Sequence, residues 1–146
     1  MNRYRELRDR QQKEYNEFSK QHCFYAFSND QFAEGMRGMG LDPEADKDRV
    51  TPIMAGGFIL KEQKPALEDL FTRHFKELED AISADQTGDG FIYEMFIDEL
   101  NNHEFSYTGD ATDAIHACGL LPKEVLENEA LNHGLVKAME YCRKEG

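Results

Sequence analysis

The sequence predicts an α+β fold, a mainly helical single domain packed around a small two- or three-stranded antiparallel sheet. Three observations lead there. Apolar residues recur at spacings of three and four over residues 65–82 and 92–103, a short aromatic run and a glycine-centred hairpin supply the strands, and 146 residues are enough for one core.

Residues 2–20 read as a surface helix whose thin apolar stripe is Tyr4, Leu7, Gln11, Tyr15 and Phe18, with charge elsewhere. The run His22 to Phe27 (HCFYAF) has strand character. Ser28 followed by Gln31 makes a capping-box start for a helix through Met39, closed by Gly40. LDPEADKDRV is a polar loop. VTPIMA and FILK flank Gly56 and Gly57 as the arms of a hairpin, and Pro52, with no N–H to give a ladder, puts the first arm at a sheet edge. From Pro65, the residues Leu67, Leu70, Phe71, His74, Phe75, Leu78 and Ile82 mark one buried helix face, with Glu68, Asp69, Glu79 and Asp80 largely outside it. After the polar loop ADQTGDG, a second helix is expected to bury Ile92, Met95, Phe96, Leu100 and His103 and to turn Glu94, Asp98 and Glu99 outward. A short helix over Ala111–Cys118 stops at Gly119, and Pro122 opens another. The last helix, from about Asn128, buries Leu131, Leu135, Ala138, Met139 and Cys142. The organisation is thus one domain over 1–146: a surface helix to residue 20, short strands and one helix over 21–61, and a helical acidic half over 62–144.

The charge is lopsided. Of a formal −12, the stretch Glu62 to Asp110 carries thirteen Asp or Glu against Lys64, Arg73 and Lys76, while the first twenty residues hold Arg3, Arg5, Arg8, Arg10, Lys13 and Lys20. An acidic block repels nucleic acid and attracts basic surfaces, which points to a basic protein partner and away from direct nucleic-acid binding. The N-terminal MNRYRELRDRQQKEYNEF lacks the apolar core of a signal peptide and no window approaches a membrane span, so a cytoplasmic location is expected. Cys23, Cys118 and Cys142 are odd in number and far apart, and none belongs to a CxxC pair. They read as reduced, mostly buried thiols rather than a disulfide framework or a zinc module.

Motifs for chemistry are incomplete. DQTGDGFIYEMF, residues 85–96, begins like a calcium loop, with Asp85, Thr87 and Asp89 at positions one, three and five, Gly90 at the sharp turn and Ile92 at the small apolar position. Position twelve, where a bidentate Glu completes the shell, is Phe96. A polar helix-to-helix turn is the plainer reading. His103-Glu104 has no second His four residues on, and His74 near Glu77 and His133 near Asn132 are single imidazoles. No GxSxG, GxxxxGK[ST] or GxGxxG occurs, and Cys23 next to His22 in an extended segment points to the opposite face. No cofactor, metal or catalytic residue is therefore expected from the sequence.

The succession FYAFSNDQFAEGMRGMGLDP, AGGFILKEQKPALEDLFTRH and GDGFIYEMFIDELNNHEFSYTGDATDAIHACGL, with the late LNHGL, resembles a family of small proteins of unknown function carried by phages and integrative conjugative elements of Gram-positive gut bacteria. The likeness covers nearly the whole chain and brings no activity with it. What it implies is a setting, a mobile-element accessory protein in a bacterial cytoplasm. In that setting the expected function is binding of a basic protein, with inhibition of a host nucleic-acid-processing or defence system (restriction or CRISPR type) as the specific form. The residues expected to carry it are Glu94, Asp98 and Glu99 in one row and Glu68, Asp69, Glu79 and Asp80 in another, since carboxylates at helical spacings of three and four can oppose a row of Lys and Arg. The alternatives are a self-associating accessory protein, monomer or homodimer through the aromatic β region, and an enzyme or metal-binding protein in which His74, His103, Glu104 or His133 converge.

Overall fold

A computed structural model describes residues 1–145. The chain starts with α1 (Arg3–His22), β1 (Cys23–Tyr25) and α2 (Asn29–Gly38), then the hairpin β2 (Val50–Pro52) and β3 (Gly57–Leu60). It continues with α3 (Lys64–Ala84), α4 (Phe91–Asn102), α5 (Phe105–Thr108), α6 (Thr112–Ala117), α7 (Pro122–Glu127) and α8 (Glu129–Glu145). The α+β class holds. The fold is mainly helical with one three-stranded antiparallel sheet, ordered β1-β3-β2.

Two compact units share this chain. One is Arg10–Phe75; the other joins Met1–Asp9 to Lys76–Gly146. In the first unit β3 is central, with Cys23, Phe24 and Tyr25 opposite Ile59, Phe58 and Gly57, and Val50, Thr51 and Pro52 opposite Leu60, Ile59 and Phe58. Pro52 lies on the edge strand β2, where its missing N–H is tolerated. The turn differs from the expected glycine pair. Ala55 and Gly56 both take left-handed backbone, Gly57 is already in the strand, and a Cβ on Gly56 would collide with the ring of Phe27. The cap of α2 is as the sequence implies: Ser28 Oγ accepts from Gln31 N at 3.2 Å, and Gln31 Oε1 accepts from Phe27 N at 2.7 Å. Small cores close the unit, one around Cys23, Ile59 and Leu67 and one around Met36, Leu41 and Val50, with Phe24, Phe32 and Phe58 packed edge-on or stacked beside them.

The helical unit has one larger core in which α4 is central. Ile92, Met95, Phe96 and Leu100 meet Leu131, Leu135, Ala138 and Cys142 of α8, with Ala114, Ile115 and Val125 from α6 and α7. Tyr4 is fully buried there, so the first turn of α1 is part of a core rather than a surface element. Two further expectations need correction. Phe75 is 57% exposed, because the buried stripe of α3 passes through His74 and Leu78 and leaves the next residue outside it. The chain after His103 makes the extra turn α5, entered through Glu104 in left-handed backbone and closed by Gly109.

Candidate functional site

The acidic residues of α4 are held by the N-terminal segment. Arg3 donates from its backbone N to Glu94 Oε1 and from Nε to Glu94 Oε2, each at 2.9 Å, and Asn2 Nδ2 donates to the Glu94 carbonyl at 2.8 Å. Arg5 pairs with Asp98 Oδ1 at 2.6–2.8 Å. These bidentate guanidinium contacts hold the Glu94 carboxyl below its ordinary range and push the Arg3 and Arg5 guanidiniums up. Glu99 does not face outward. It is buried, accepts from the Tyr4 hydroxyl on Oε2 and from Asn102 Nδ2 on Oε1 at 2.9 Å. The Tyr4 oxygen in turn accepts from Arg8 Nε at 3.0 Å, and Arg8 Nη2 donates to the Ala117 carbonyl at 3.0 Å. Burial, and next the bond to Glu99, raise the Tyr4 hydroxyl above its usual range, so it stays a donor. A buried carboxylate needs such a set of donors to offset its desolvation. The row expected to meet a partner is thus largely engaged within the fold.

The acidic residues of α3 are placed otherwise. Glu68, Asp69, Glu79 and Asp80 are all exposed, and Asp80 forms a solvent-facing pair with Lys76 at 3.1 Å. Glu68 and Glu79, like Asp69 and Asp80, are eleven residues apart, about three turns, and so return to one face of the helix.

The loop before α4 organises itself around Asp85. Its carboxylate accepts from the backbone N–H groups of Gly88, Gly90 and Ile92 at 3.0 Å each, and from the Thr87 hydroxyl at 3.3 Å. Burial pushes the Asp85 carboxyl up, but those N–H donors outweigh it and leave it below the ordinary range. Asp89 accepts from His133 Nε2 at 2.7 Å and Lys137 Nζ at 3.1 Å, tying the loop to α8. A Cβ on Gly88 would strike the Ala130 carbonyl, so the loop's close seat on α8 depends on that glycine. Phe96, at position twelve of the calcium-like stretch, is fully buried. The oxygens that would bind calcium are engaged in building the turn. Beside it, Asp85, Gln86, Glu127 and Glu129, together with apolar Ile82 and Ile92, line an open cleft of about 470 Å³.

The histidines have separate partners. His133 belongs to the Asp89 pair, and His103 Nδ1 lies 2.9 Å from the Glu99 carbonyl oxygen. In the other unit His74 is buried, its carbonyl accepts from Gln11 Nε2 at 3.0 Å, and its Nε2 stands 3.6 Å from Glu14 Oε2. Glu14 also pairs with Arg10 at 2.6 Å and with Arg73; the Arg73 hydrogen bond is the largest influence holding its carboxyl down at about 2. This cluster escaped the sequence reading because its members come from two distant helices. The signal it left was a polar Gln11 and His74 at buried positions of two apolar stripes. All three thiols are buried, which pushes each above the ordinary range and keeps it protonated at neutral pH.

The family model "Family of unknown function (DUF7659)" matches residues 3–141. The chain belongs to that family. No curated protein and no solved structure matches it. Family membership therefore spans α1 to α8, including both the Arg3–Glu94 clamp and the His74–Glu14 cluster, and brings no assigned chemistry to either. No helix among the described residues is long and apolar enough to cross a membrane.

Proposed function

We propose that the chain is a non-enzymatic accessory protein that binds a basic surface on another protein through the exposed acidic face of α3, and that its target is a host nucleic-acid-processing or defence enzyme. The observation that carries this reading is the sorting of carboxylates. Glu94, Asp98 and Glu99 are engaged by Arg3, Arg5 and Tyr4, whereas Glu68, Asp69, Glu79 and Asp80 are exposed. Carboxylates left in water raise association rates and select basic partners, and enzymes that hold nucleic acid offer basic channels. The resemblance to phage and conjugative-element proteins supplies the setting, a bacterial cytoplasm shared with such enzymes.

Capture of the tagged protein's partners from a host lysate, at low and at high salt, tests this. The reading expects one basic nucleic-acid enzyme, recovered at low salt, lost at high salt and blocked in activity by stoichiometric protein. Capture of no protein other than the chain itself contradicts it. That result would favour a second reading, self-association through the β region, where Phe27, 78% exposed, lines a groove of about 560 Å³ with Phe32 and Phe58, and where Met54 and Tyr25 are also exposed.

A further inference from the structure

His74 is an uncommon histidine. It is only 8% exposed, its Nε2 is fully shielded from solvent, and among the described residues that nitrogen has no hydrogen-bond partner. A buried ring nitrogen normally has one, since leaving it unpaired forfeits its hydration without replacement. A carboxylate oxygen, Glu14 Oε2, is 3.6 Å away, too far for a hydrogen bond. It is the right separation for a shared metal ligand. Two donors on a tetrahedral ion, with Zn–N and Zn–O bonds of about 2.0–2.2 Å, stand about 3.4 Å apart.

We propose that His74 Nε2 and Glu14 Oε2 form a binding site for a divalent transition ion of the Zn²⁺ class. A neutral imidazole and an ionised carboxylate are the ligands such an ion prefers. Arg73 donates to the same Oε2, but a carboxylate oxygen has two lone pairs and can accept that bond and coordinate together. Water completes the shell. The two nearby guanidiniums oppose a dication, so the site belongs in the micromolar rather than the structural-zinc range of affinity.

The test is calorimetric titration of the chelator-treated, dialysed protein with ZnCl₂, with long-range ¹H–¹⁵N spectra recorded on the histidine rings. The proposal expects one saturable equivalent and a displaced His74 Nε2 resonance. It also expects weakening of about ten-fold or more in Glu14→Gln and in His74→Ala. Glu14 is half-exposed, so its variant keeps the fold and remains informative if the buried histidine cannot be replaced. Absence of saturable binding, an unmoved His74 Nε2 resonance at saturation, or wild-type affinity in Glu14→Gln would each overturn it. Because no partner is present, the outcome is independent of the binding function proposed above.

Discussion

The helical unit carries eight Lys and Arg against eighteen Asp and Glu, a net of −10, whereas the unit Arg10–Phe75 carries nine against eleven. Their cores differ in the same sense. The helical unit buries one continuous cluster from Tyr4 to Cys142, while the other divides its apolar contacts between two small clusters wrapped by half-buried aromatics. The more acidic unit is thus the one with the larger core. The comparison teaches that a strong like-charge excess is compatible with a large core when part of it is paired within the unit, as Arg3 and Arg5 pair with Glu94 and Asp98, and when a buried carboxylate is hydrogen-bonded, as Glu99 is by Tyr4. The unit nearer neutrality has less self-repulsion to offset and closes around less buried surface.

This contrast can be broken at several depths. The largest loss is expected from Phe96→Ala, which empties the centre of the helical core and should cost about 4 kcal/mol in urea unfolding. Ile59→Ala, equally buried in the mixed unit, should cost less, about 2–3 kcal/mol, since half-buried Tyr15, Phe18 and Leu70 can relax toward the gap. Equal losses would deny the difference between the cores. Tyr4→Phe keeps the ring and removes only the hydroxyl shared by Glu99 and Arg8; about 2 kcal/mol is expected, and a neutral result would mean that Glu99 is satisfied without it. Glu94→Gln ranks below these, at about 0.5 kcal/mol, because its clamp to Arg3 is partly open to water, and the loss should shrink in high salt.

The unit Arg10–Phe75 carries an acid response that can be traced to one residue. Glu14 has a folded-state pKa of about 2 against an ordinary 4.5, so its contribution to stability is fully present above pH 4.5 and disappears as the pH falls toward 2. Replacing it by Gln should flatten the decline of the thermal midpoint over that interval while leaving the midpoint's dependence above pH 5 unchanged. An unchanged acid limb would show that the Arg10 and Arg73 pairs add nothing to folding.

Features with local causes could be read from the sequence. The stripe of α3, the Ser28–Gln31 cap, Gly119 and Pro122 each act within a few residues, and the elements formed where those residues required them. Phe75 was misplaced because an aromatic next to a stripe satisfies the same periodicity from either side. The α5 turn is four residues long, too short to register a period. The misreading of Glu99 has a different origin. Charge on a helix is assigned outward by default, and the partner that takes it inward, Tyr4, lies 95 positions away. A tyrosine heading the apolar stripe of a basic segment was the clue, since a buried hydroxyl requires an acceptor. The Glu14–His74 cluster is likewise non-local, with members from α1 and α3.

The most direct test of the central claim, that α4 keeps its carboxylates for the fold and α3 offers its own to a partner, is a paired charge reversal read by both thermal unfolding and partner capture. One variant changes Glu68, Asp69, Glu79 and Asp80 to Lys, the other Glu94 and Asp98. The account predicts that the α3 variant keeps its unfolding midpoint and loses capture, while the α4 variant has a lowered midpoint. An α4 variant with an unchanged midpoint and lost capture, beside an α3 variant that still binds, would contradict it.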